Sequence, residues 1–279
     1  MNESARVVVI GGGIAGVSTA YHLALMGCTD VLLLERDELT SGSTWHAAGN
    51  VPTYSTSWSA MKAQSYTAKL YRELSEEFPI NYHVTGSVRL AHSEERLAEF
   101  RHVTSMANAQ GMGYDMLTPA QLKEIYPLVE THDLVGALWD PLDGDIDPSQ
   151  VTQALATKTR EMGGRIRRYE RVIGLVQHPN HTWTVTSRKK DGTEQVIDCE
   201  IVVNAAGYRA GEVMALLGRH HPIAQMSHQY YVTDEIPELA ARETPLPLLR
   251  DPDTSYYLRQ ERHSYILGPY EWKSTAMWL

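Results

Sequence analysis

The chain has only two cysteines among its 279 residues, and its basic residues are fewer than its acidic ones. Cys28 and Cys199 form no CxxC pair, which excludes a disulfide scaffold and a zinc site made of thiolates and suits a reducing compartment. The 25 lysines and arginines stand against 34 aspartates and glutamates, a net charge of −9. This balance excludes the basic surface of a nucleic-acid-binding protein and the polybasic patch that holds an anionic membrane.

A membrane span and a signal peptide are also excluded. The segment Val7–Met26 has no formally charged residue and is long enough to cross a bilayer. Its glycines, hydroxyl residues and His22 split the apolar residues into two blocks, and its flanks lack a basic region and a cleavage site. We therefore expect no membrane segment, and a cytoplasmic protein or, if the source is eukaryotic, one of the mitochondrial matrix.

Two common catalytic motifs are missing. The chain has 12 histidines but no HExxH motif, and His220 and His221 are adjacent instead of one helical turn apart. No G-x-S-x-G elbow of a hydrolase occurs either. The remaining composition, 43% hydrophobic and 21% charged, is that of an ordinary globular protein. We expect no metal site.

The first forty residues follow the order strand, glycine loop, helix, strand. Val7–Ile10 is a β-branched run typical of a buried parallel strand, and the sequence GGGIAG follows it directly. A helix is predicted over Val17–Met26, and Val31–Leu34 is predicted as a second buried strand with Glu35 at its end. This order predicts a dinucleotide-binding βαβ unit, for NAD or for FAD.

Each glycine of this motif has a physical role. Gly11 permits the tight turn, Gly13 lets the backbone approach a pyrophosphate, and Gly16 lets the helix pack closely on the strand. The helix N-terminus offers free amides to the phosphates, and Glu35 can accept the ribose hydroxyls. The residues predicted at the cofactor in this unit are Gly11, Gly13, Ile14, Ala15, Gly16, Glu35 and, in a supporting role, Arg36.

A second motif, TSGSTWHAAG, follows the second strand. Its Ser43–Gly49 segment, with Glu35 and Arg36 ahead of it, closely resembles the dimethylglycine and sarcosine dehydrogenase family, flavoproteins of the D-amino-acid-oxidase-like superfamily. The resemblance implies FAD as cofactor, bonded covalently through its 8α carbon to the histidine at position 46. A neutral imidazole nitrogen is a suitable nucleophile for that carbon. The cofactor residues that this segment adds are Gly42, Ser43, Thr44, Trp45, His46, Ala48 and Gly49.

Later segments resemble the same family. Asp147 is predicted to cap a helix that begins at Pro148, after an acidic turn. The strands that follow resemble a small antiparallel sheet laid on a flavin domain, in which the family places a valine, here Val172, against the adenine. Ala206 and Gly207, at the end of a returning strand, allow close approach to FAD.

The resemblance implies an α/β fold, with a Rossmann-like FAD-binding domain and an interleaved α+β substrate domain built on an antiparallel sheet. We expect the FAD-binding domain at residues 1–83 and 142–218, and the substrate domain at 84–141 and 219–279.

Two segments, 226–230 and 249–260, resemble strands that line the amine pocket of the family. The resemblance maps a histidine and a tyrosine that face the flavin onto His228 and Tyr257. It implies oxidation of a small N-methyl amine or amino acid by hydride transfer to the flavin, with release of formaldehyde. His228 suits a general base because its reference pKa lies near neutrality. Arg250 or Arg259 is expected to hold a substrate carboxylate, and the sequence does not choose between them.

The C-terminal segment leaves a second interpretation open. Family members continue with a strand that returns to the FAD domain, and many then carry a tetrahydrofolate-binding domain; neither is recognised before Leu279. The first interpretation is an active amine dehydrogenase or oxidase, passing electrons to an acceptor protein or to oxygen. The second is a catalytically incomplete flavin-binding fragment or subunit that needs another polypeptide. Both keep FAD as the cofactor.

Overall fold

The structure, a computed structural model, describes residues 3–271 and 273–277. Residues 272, 278 and 279, part of the C-terminal segment discussed above, lie outside the described residues. The chain forms two compact units: unit 1 comprises Met1–Ala47, Asp147–Gln225 and Ala276–Leu279, and unit 2 comprises Ala48–Ile146 and Met226–Thr275. The expected domains differ from these units mainly at residues 48–83, which the structure groups with unit 2.

The helices are α1 (Ile14–Leu25), α2 (Trp58–Glu77), α3 (Glu94–Asn108), α4 (Pro119–Ile125), α5 (Pro148–Glu161), α6 (Ala210–Ala215) and α7 (Pro237–Ala240). The strands are β1 (Glu3–Ile10), β2 (Val31–Leu34), β3 (Asn50–Val51), β4 (Ser87–Ala91), β5 (Asp115–Leu117), β6 (Gly136–Asp140), β7 (Gly144–Asp145), β8 (Arg165–Arg167), β9 (Glu170–Gln177), β10 (Trp183–Lys189), β11 (Glu194–Asn204), β12 (Gln225–Met226), β13 (Tyr231–Val232), β14 (Leu248–Asp251), β15 (Tyr256–Glu261), β16 (Ser264–Pro269) and β17 (Ala276–Met277).

Unit 1 is built on a six-stranded sheet in the order β8-β2-β1-β11-β10-β9. The strands β8, β2, β1 and β11 run parallel, whereas β10 is antiparallel to both β11 and β9. The four residues of β2 are all buried, and Leu32 and Leu34 join Val8 and Ile10 in one core cluster. Burying each such side chain contributes about 1.5–3 kcal/mol. The sequence therefore places the centre of the sheet at its two most apolar runs.

The antiparallel strands β10 and β9 continue this sheet beyond β11. The expectation of a separate small antiparallel sheet is therefore wrong. The strand β11 is continuous, so the last of the expected antiparallel strands and the expected returning strand are one strand. Residues 194–199 of this strand pair with β10, where Cys199 lies opposite Trp183, and residues 197–204 pair with β1. Because β11 uses both of its edges, the parallel and antiparallel strands form a single sheet.

Unit 2 is built on a seven-stranded sheet in the order β13-β16-β15-β14-β4-β6-β5. All neighbours are antiparallel except β14 and β4, which are parallel. The core on one side includes Val88, Leu122, Leu249 and Tyr265. The expected α+β unit on a largely antiparallel sheet is confirmed, with this one parallel pair added.

Two helices begin at side-chain caps, of which the cap at Asp147 was expected from the sequence. Thr118 and Gln121 form a capping box at the start of α4, and the Asp147 side chain accepts hydrogen bonds from the amides of Ser149 and Gln150 at the start of α5. In contrast, α1 begins at Ile14, earlier than the expected Val17. Its N-cap is Gly13, which has no side chain to accept a hydrogen bond. Among the described residues no helix is both long and apolar enough to cross a bilayer.

Candidate functional site

The glycine loop of unit 1 crosses the carboxyl ends of the central strands. The amide of Gly11 donates to the carbonyl of Leu34, and the amide of Ala205 donates to that of Ile10, both at 2.9 Å. Gly11 has φ +114°, and a Cβ there would overlap the carbonyl oxygen of Ala205; a Cβ at Gly16 would overlap that of Gly11. Only glycine fits these two positions, because backbone from the loop, the helix and β11 meets there.

The second motif packs on the start of α1. The hydroxyl of Thr44, a buried residue, accepts a hydrogen bond from the amide of Ile14 at 3.0 Å. A Cβ at Gly13 would lie 2.9 Å from the same oxygen. The two motifs recognised separately in the sequence are therefore one structure, in which Thr44 supplies the side-chain acceptor that the helix N-terminus lacks from its own cap.

Glu35 is a buried acid at the end of β2, 8% exposed. One carboxylate oxygen accepts the amide of Gly12 at 2.6 Å, and the other accepts the amide of Asp37 at 2.8 Å. An ionised carboxylate has about four acceptor positions, so each oxygen keeps one for a ligand hydroxyl. The Glu35 carboxylate is thereby fixed in place and can still accept hydrogen bonds from a ligand.

These features surround one cavity of about 340 Å³ in unit 1. Most of the predicted cofactor residues line it: Gly11, Gly13, Ile14, Ala15, Glu35, Arg36, Gly42, Ser43, Thr44, Val172, Ala206 and Gly207. The other lining residues were not predicted from the sequence: Gly12, Leu34, Asp37, Ser41, Glu170, Arg171, Ala205, Tyr208, Arg209, Glu212, Val213 and Leu216. Many of these residues are immediate neighbours of predicted ones, and their position beside the motifs could have identified them. For the residues of α6 the sequence offered no such signal.

Three predicted residues of unit 1 do not line this cavity. Gly16 serves the packing of α1, as described above. Trp45 is 60% exposed, and its ring lies 4.7 Å from the ring of His46, which is also exposed. The Nδ1 of His46 lies 3.0 Å from the carbonyl oxygen of Gly42. Because a carbonyl oxygen only accepts, Nδ1 carries a hydrogen, and in a neutral imidazole the lone pair is then on Nε2.

Ala48 and Gly49, the last predicted residues of the second motif, belong to unit 2. Gly49 has φ +76°, and a Cβ there would overlap the carbonyl oxygen of Ile146. Its own carbonyl accepts a hydrogen bond from the amide of Ile146 at 2.9 Å. This glycine thus lets two backbone segments pass closely.

The strand-end residues Ala206 and Gly207 are ordered by Asn204. The Asn204 side chain accepts from the amide of Ala206 at 3.2 Å and donates to the carbonyl of Ala210 at 3.0 Å. Gly207 has φ +57° and opens a short 3₁₀ turn. The asparagine therefore shapes the turn that lines the cavity, a role the sequence analysis did not assign.

In unit 2, His228 pairs with a carboxylate. Its Nδ1 lies 3.0 Å from Oε2 of Glu271, and the pKa of Glu271 is lowered by a backbone hydrogen bond and by this contact. A carboxylate in its ionised form only accepts, so Nδ1 donates, and in a neutral imidazole the lone pair is then on Nε2. This arrangement gives His228 one basic nitrogen with a fixed direction.

The ring of Tyr270 lies close to both Tyr257 and His228. Tyr270 is 5.9 Å from the ring of Tyr257 and 5.8 Å from that of His228, centroid to centroid. Tyr257 is buried opposite Gly268, where any Cβ would overlap its ring, and burial raises the pKa of its phenol. The phenol therefore stays protonated at neutral pH, which suits a hydrogen-bond donor.

The acidic turn before α5 contains a buried ionic cluster. Arg89, 4% exposed, donates to Asp143 at 3.0 Å and lies 3.9 Å from Asp140. Ser87 and the amide of Thr53 also donate to Asp143, at 2.6 and 2.5 Å. Burial and the charge of Asp143 raise the pKa of Asp140 to about 7, whereas Arg89 holds that of Asp143 below its usual value. The sequence suggested only turn and cap chemistry here. Among the described residues no group of three or more potential ligands could hold a metal ion.

Comparison with known proteins agrees with this geometry. A model of FAD-dependent oxidoreductases matches residues 6–277. The chain is similar to mitochondrial dimethylglycine dehydrogenase of Rattus norvegicus, 41% identical over 96% of this chain and 31% of that protein, and to mitochondrial sarcosine dehydrogenase of Homo sapiens, 35% identical over 96% and 29%. It is also similar to the crystal structure of L-proline dehydrogenase from P. horikoshii, with a TM-score of 0.83 and 29% identity, over 96% of this chain and 70% of that one. The resemblance inferred from the motifs is confirmed, and the chain spans about a third of the length of the two dehydrogenases named first.

Proposed function

The chain belongs to the FAD-dependent oxidoreductase family, and we propose that it binds FAD and oxidises an N-methyl amine of the dimethylglycine or sarcosine type. The observation that carries this proposal is the single cavity that collects the glycine loop, Glu35, the loop after β2, Val172 and the end of β11. Four segments that are far apart in the sequence, at residues 11–15, 34–44, 170–172 and 205–216, converge there.

The residues present fit FAD. Without side chains in the glycine loop, a pyrophosphate can reach the start of α1, where the helix dipole favours negative charge. Glu35 keeps open acceptor positions for the ribose hydroxyls, and its charge disfavours a 2′-phosphate. Val172, 9% exposed in β9, offers backbone to an adenine ring. We propose that His46 holds the cofactor covalently through Nε2, because its Nδ1–H is engaged by Gly42.

FAD, when bound, supplies the acceptor for a hydride from the N-methyl carbon. The substrate nitrogen must first lose its proton, since an ammonium has no lone pair to drive hydride departure. We assign that proton to Nε2 of His228, with Glu271 orienting the ring, and we assign orientation of the substrate to the phenol of Tyr257. The resulting iminium is hydrolysed by water to formaldehyde and the demethylated amine. The electrons then pass to an acceptor protein or to oxygen.

The length of the relatives favours a second candidate. Because this chain spans about a third of the two dehydrogenases, it is also compatible with a flavin-binding part that needs further polypeptide to turn over. A tetrahydrofolate-binding domain that captures the one-carbon product would then lie in that further polypeptide.

One experiment tests the proposal. The purified chain is precipitated with acid, and the pellet is examined for yellow, fluorescent flavin; anaerobic N,N-dimethylglycine is then added to native protein. We expect a yellow pellet and bleaching of the visible absorption. His46→Ala should release its flavin into the supernatant, whereas the matched variant His102→Ala, at an exposed position of α3, should retain it. A native protein without flavin would overturn the proposal; bound flavin without bleaching would favour the second candidate.

A further inference from the structure

A second cavity of unit 1, of about 330 Å³, carries an excess of positive charge. Its walls include one acid, Asp37, and five cations: Arg36, Arg171, Arg188, Lys189 and Lys190. The chain as a whole has a net charge of −9, so this cavity runs against its overall balance. Arg36, Asp37 and Arg171 also line the cavity described above, whereas Arg188, Lys189 and Lys190 line only the second one. The second cavity is therefore a neighbour of the first with walls of its own.

Two of these cations lie directly opposite each other. Arg171 of β9 pairs with Arg188 of β10 in the antiparallel ladder, so both side chains leave the same face of the sheet. Like charges directly opposite each other in a sheet are destabilising. The adjacent acid Glu170 gives no relief, because its register partner is Lys189 and its buried carboxylate accepts from Ser187 at 2.6 Å on the other face. The arginine pair therefore favours an anion between the two guanidinium groups.

The acids that pair with these two arginines are at the surface. Nε and Nη2 of Arg188 donate to Glu194 at 3.1 and 2.7 Å, and Nη2 of Arg171 lies 3.6 Å from Glu212. The side chains of Arg188 and Arg171 are 53% and 60% exposed. Ion pairs at such exposure contribute little, because water and salt screen them. Both guanidinium groups can therefore turn to a ligand that offers more charge.

Lys190 has an aromatic neighbour in place of an acid. Among the residues that the structure describes, no ion pair involves Lys190, and its Nζ lies 5.4 Å from the centre of the Tyr169 ring. Tyr169 has φ +59°, a left-handed conformation that is uncommon for a bulky residue, and its carbonyl accepts the Lys190 amide at 3.0 Å. Its hydroxyl donates to Glu38 at 2.9 Å, which orients the ring. The ring attracts the ammonium without neutralising it, so Lys190 keeps its charge for a ligand.

We propose that this cavity binds the phosphate groups of a small anion with at least two negative charges, through Arg171, Arg188 and Lys190. Three cations need more than the single charge of a monocarboxylate, and guanidinium and ammonium groups both bind phosphate oxygens. A volume of about 330 Å³ is within the range of small-ligand pockets and has room for a pyrophosphate.

The phosphate groups themselves are the recognised feature. The Tyr169 ring already contacts Lys190 and also Arg168, whose Cζ lies 5.8 Å from its centre, so these two cations take the place of a stacked base. The site goes beyond the proposed function and does not depend on amine oxidation.

Calorimetric titration with pyrophosphate tests the site. FAD is kept at a saturating concentration, so that the glycine loop is not available to the added anion. We expect Lys190→Gln and Arg188→Gln each to weaken the binding of pyrophosphate by about 10- to 100-fold, with an unchanged melting temperature. Lys62→Gln in α2 is the matched control, because Lys62 also lies over an aromatic ring, 5.9 Å from that of Trp58, and does not line the cavity. This variant should bind pyrophosphate as the wild type does.

Further titrations distinguish the source of the anion. Tighter binding of ADP than of pyrophosphate would assign the site to a nucleotide, and the reverse order would assign it to an inorganic anion; either order, with the loss in Lys190→Gln, supports the phosphate site. Equal affinity of the wild type and both cavity variants for pyrophosphate would overturn it. Binding that disappears when FAD is added would also overturn it, because the anion would then occupy the cofactor cavity. If the chain takes up no FAD, the same variants are titrated without it, so failure of the proposed function leaves this test intact.

Discussion

The carboxylate of Glu35 accepts a hydrogen bond from the backbone amide of Gly12 at 2.6 Å. This contact joins the end of β2 to the glycine loop, although the two residues are far apart in the sequence. The other oxygen fixes the turn after β2 through the amide of Asp37. The acid that is expected to bind the ribose therefore also orders the loop that is expected to bind the pyrophosphate.

Glu35→Gln tests this double role. The amide keeps one acceptor oxygen but turns an NH₂ group toward a backbone N–H, which loses a charge-assisted hydrogen bond. We expect the free energy of unfolding to fall by about 1–3 kcal/mol and the affinity for added FAD to fall at least tenfold in a His46→Ala background. Denaturant titration and fluorescence titration measure the two effects. Unchanged affinity for FAD would show that Glu35 does not contact the cofactor.

Gly16→Ala tests the close packing of α1 on the sheet. The added methyl would overlap the carbonyl oxygen of Gly11, so helix and loop must separate. We expect a loss of ~1–3 kcal/mol in the free energy of unfolding. Gly211→Ala in α6 is the matched control, because the nearest atom to its Cβ is 3.9 Å away, and helix propensity should make it neutral or stabilising. Equal effects of both changes would contradict the packing argument.

The buried pair Asp140 and Asp143 gives a pH dependence whose sign can be stated. Burial and Asp143 raise the folded-state pKa of Asp140 to about 7, above its unfolded value of about 3.9. The folded state thus binds this proton more tightly, so the contribution is present at low pH and is lost as the pH rises through 7.

Asp140→Asn removes this proton equilibrium. Between pH 5 and pH 8 we expect the stability of the variant relative to the wild type to increase by on the order of 1 kcal/mol, measured by denaturant titration. The exposed Asp234→Asn should show no such trend. A relative stability of Asp140→Asn that is the same at both pH values would contradict the raised pKa.

His228→Gln tests the general base. We expect flavin reduction by N,N-dimethylglycine at pH 7 to slow by about 10²- to 10⁴-fold. The rate should recover as the pH rises, since the amine then loses its proton to solvent, and Glu271→Gln should show a smaller loss because it only orients the ring. Rapid-mixing absorption measures both. A loss that is equal at every pH would point to a structural role for His228.

Much of the fold was predictable because its signals are local. The β-branched run, the glycine loop and the apolar run before Glu35 identify a βαβ unit, and each depends on neighbouring residues only. The capping box at Thr118 is local in the same way. In contrast, the continuous strand β11 was not predictable, because only the register against β1 and β10 shows that both of its edges are used.

The candidate site divides along the same line. The βαβ motif pointed to Glu35, and the family resemblance pointed to His46, His228 and Tyr257. The sequence offered no choice between Arg250 and Arg259, because the pairing of Arg259 with Asp145 joins residues that are remote in the chain.

The sequence by itself indicated a dinucleotide cofactor and the βαβ unit that presents the glycine loop, since the backbone requirements of glycine and of apolar runs are set by adjacent residues. Only the tertiary structure decided which charges are already paired. Asp143, in the turn after β6, neutralises Arg89, and Asp145 of β7 pairs with Arg259, whereas Arg250 has no carboxylate partner among the described residues. Electrostatic balance depends on distances and burial between residues remote in the chain, and these exist only once the sheet has formed.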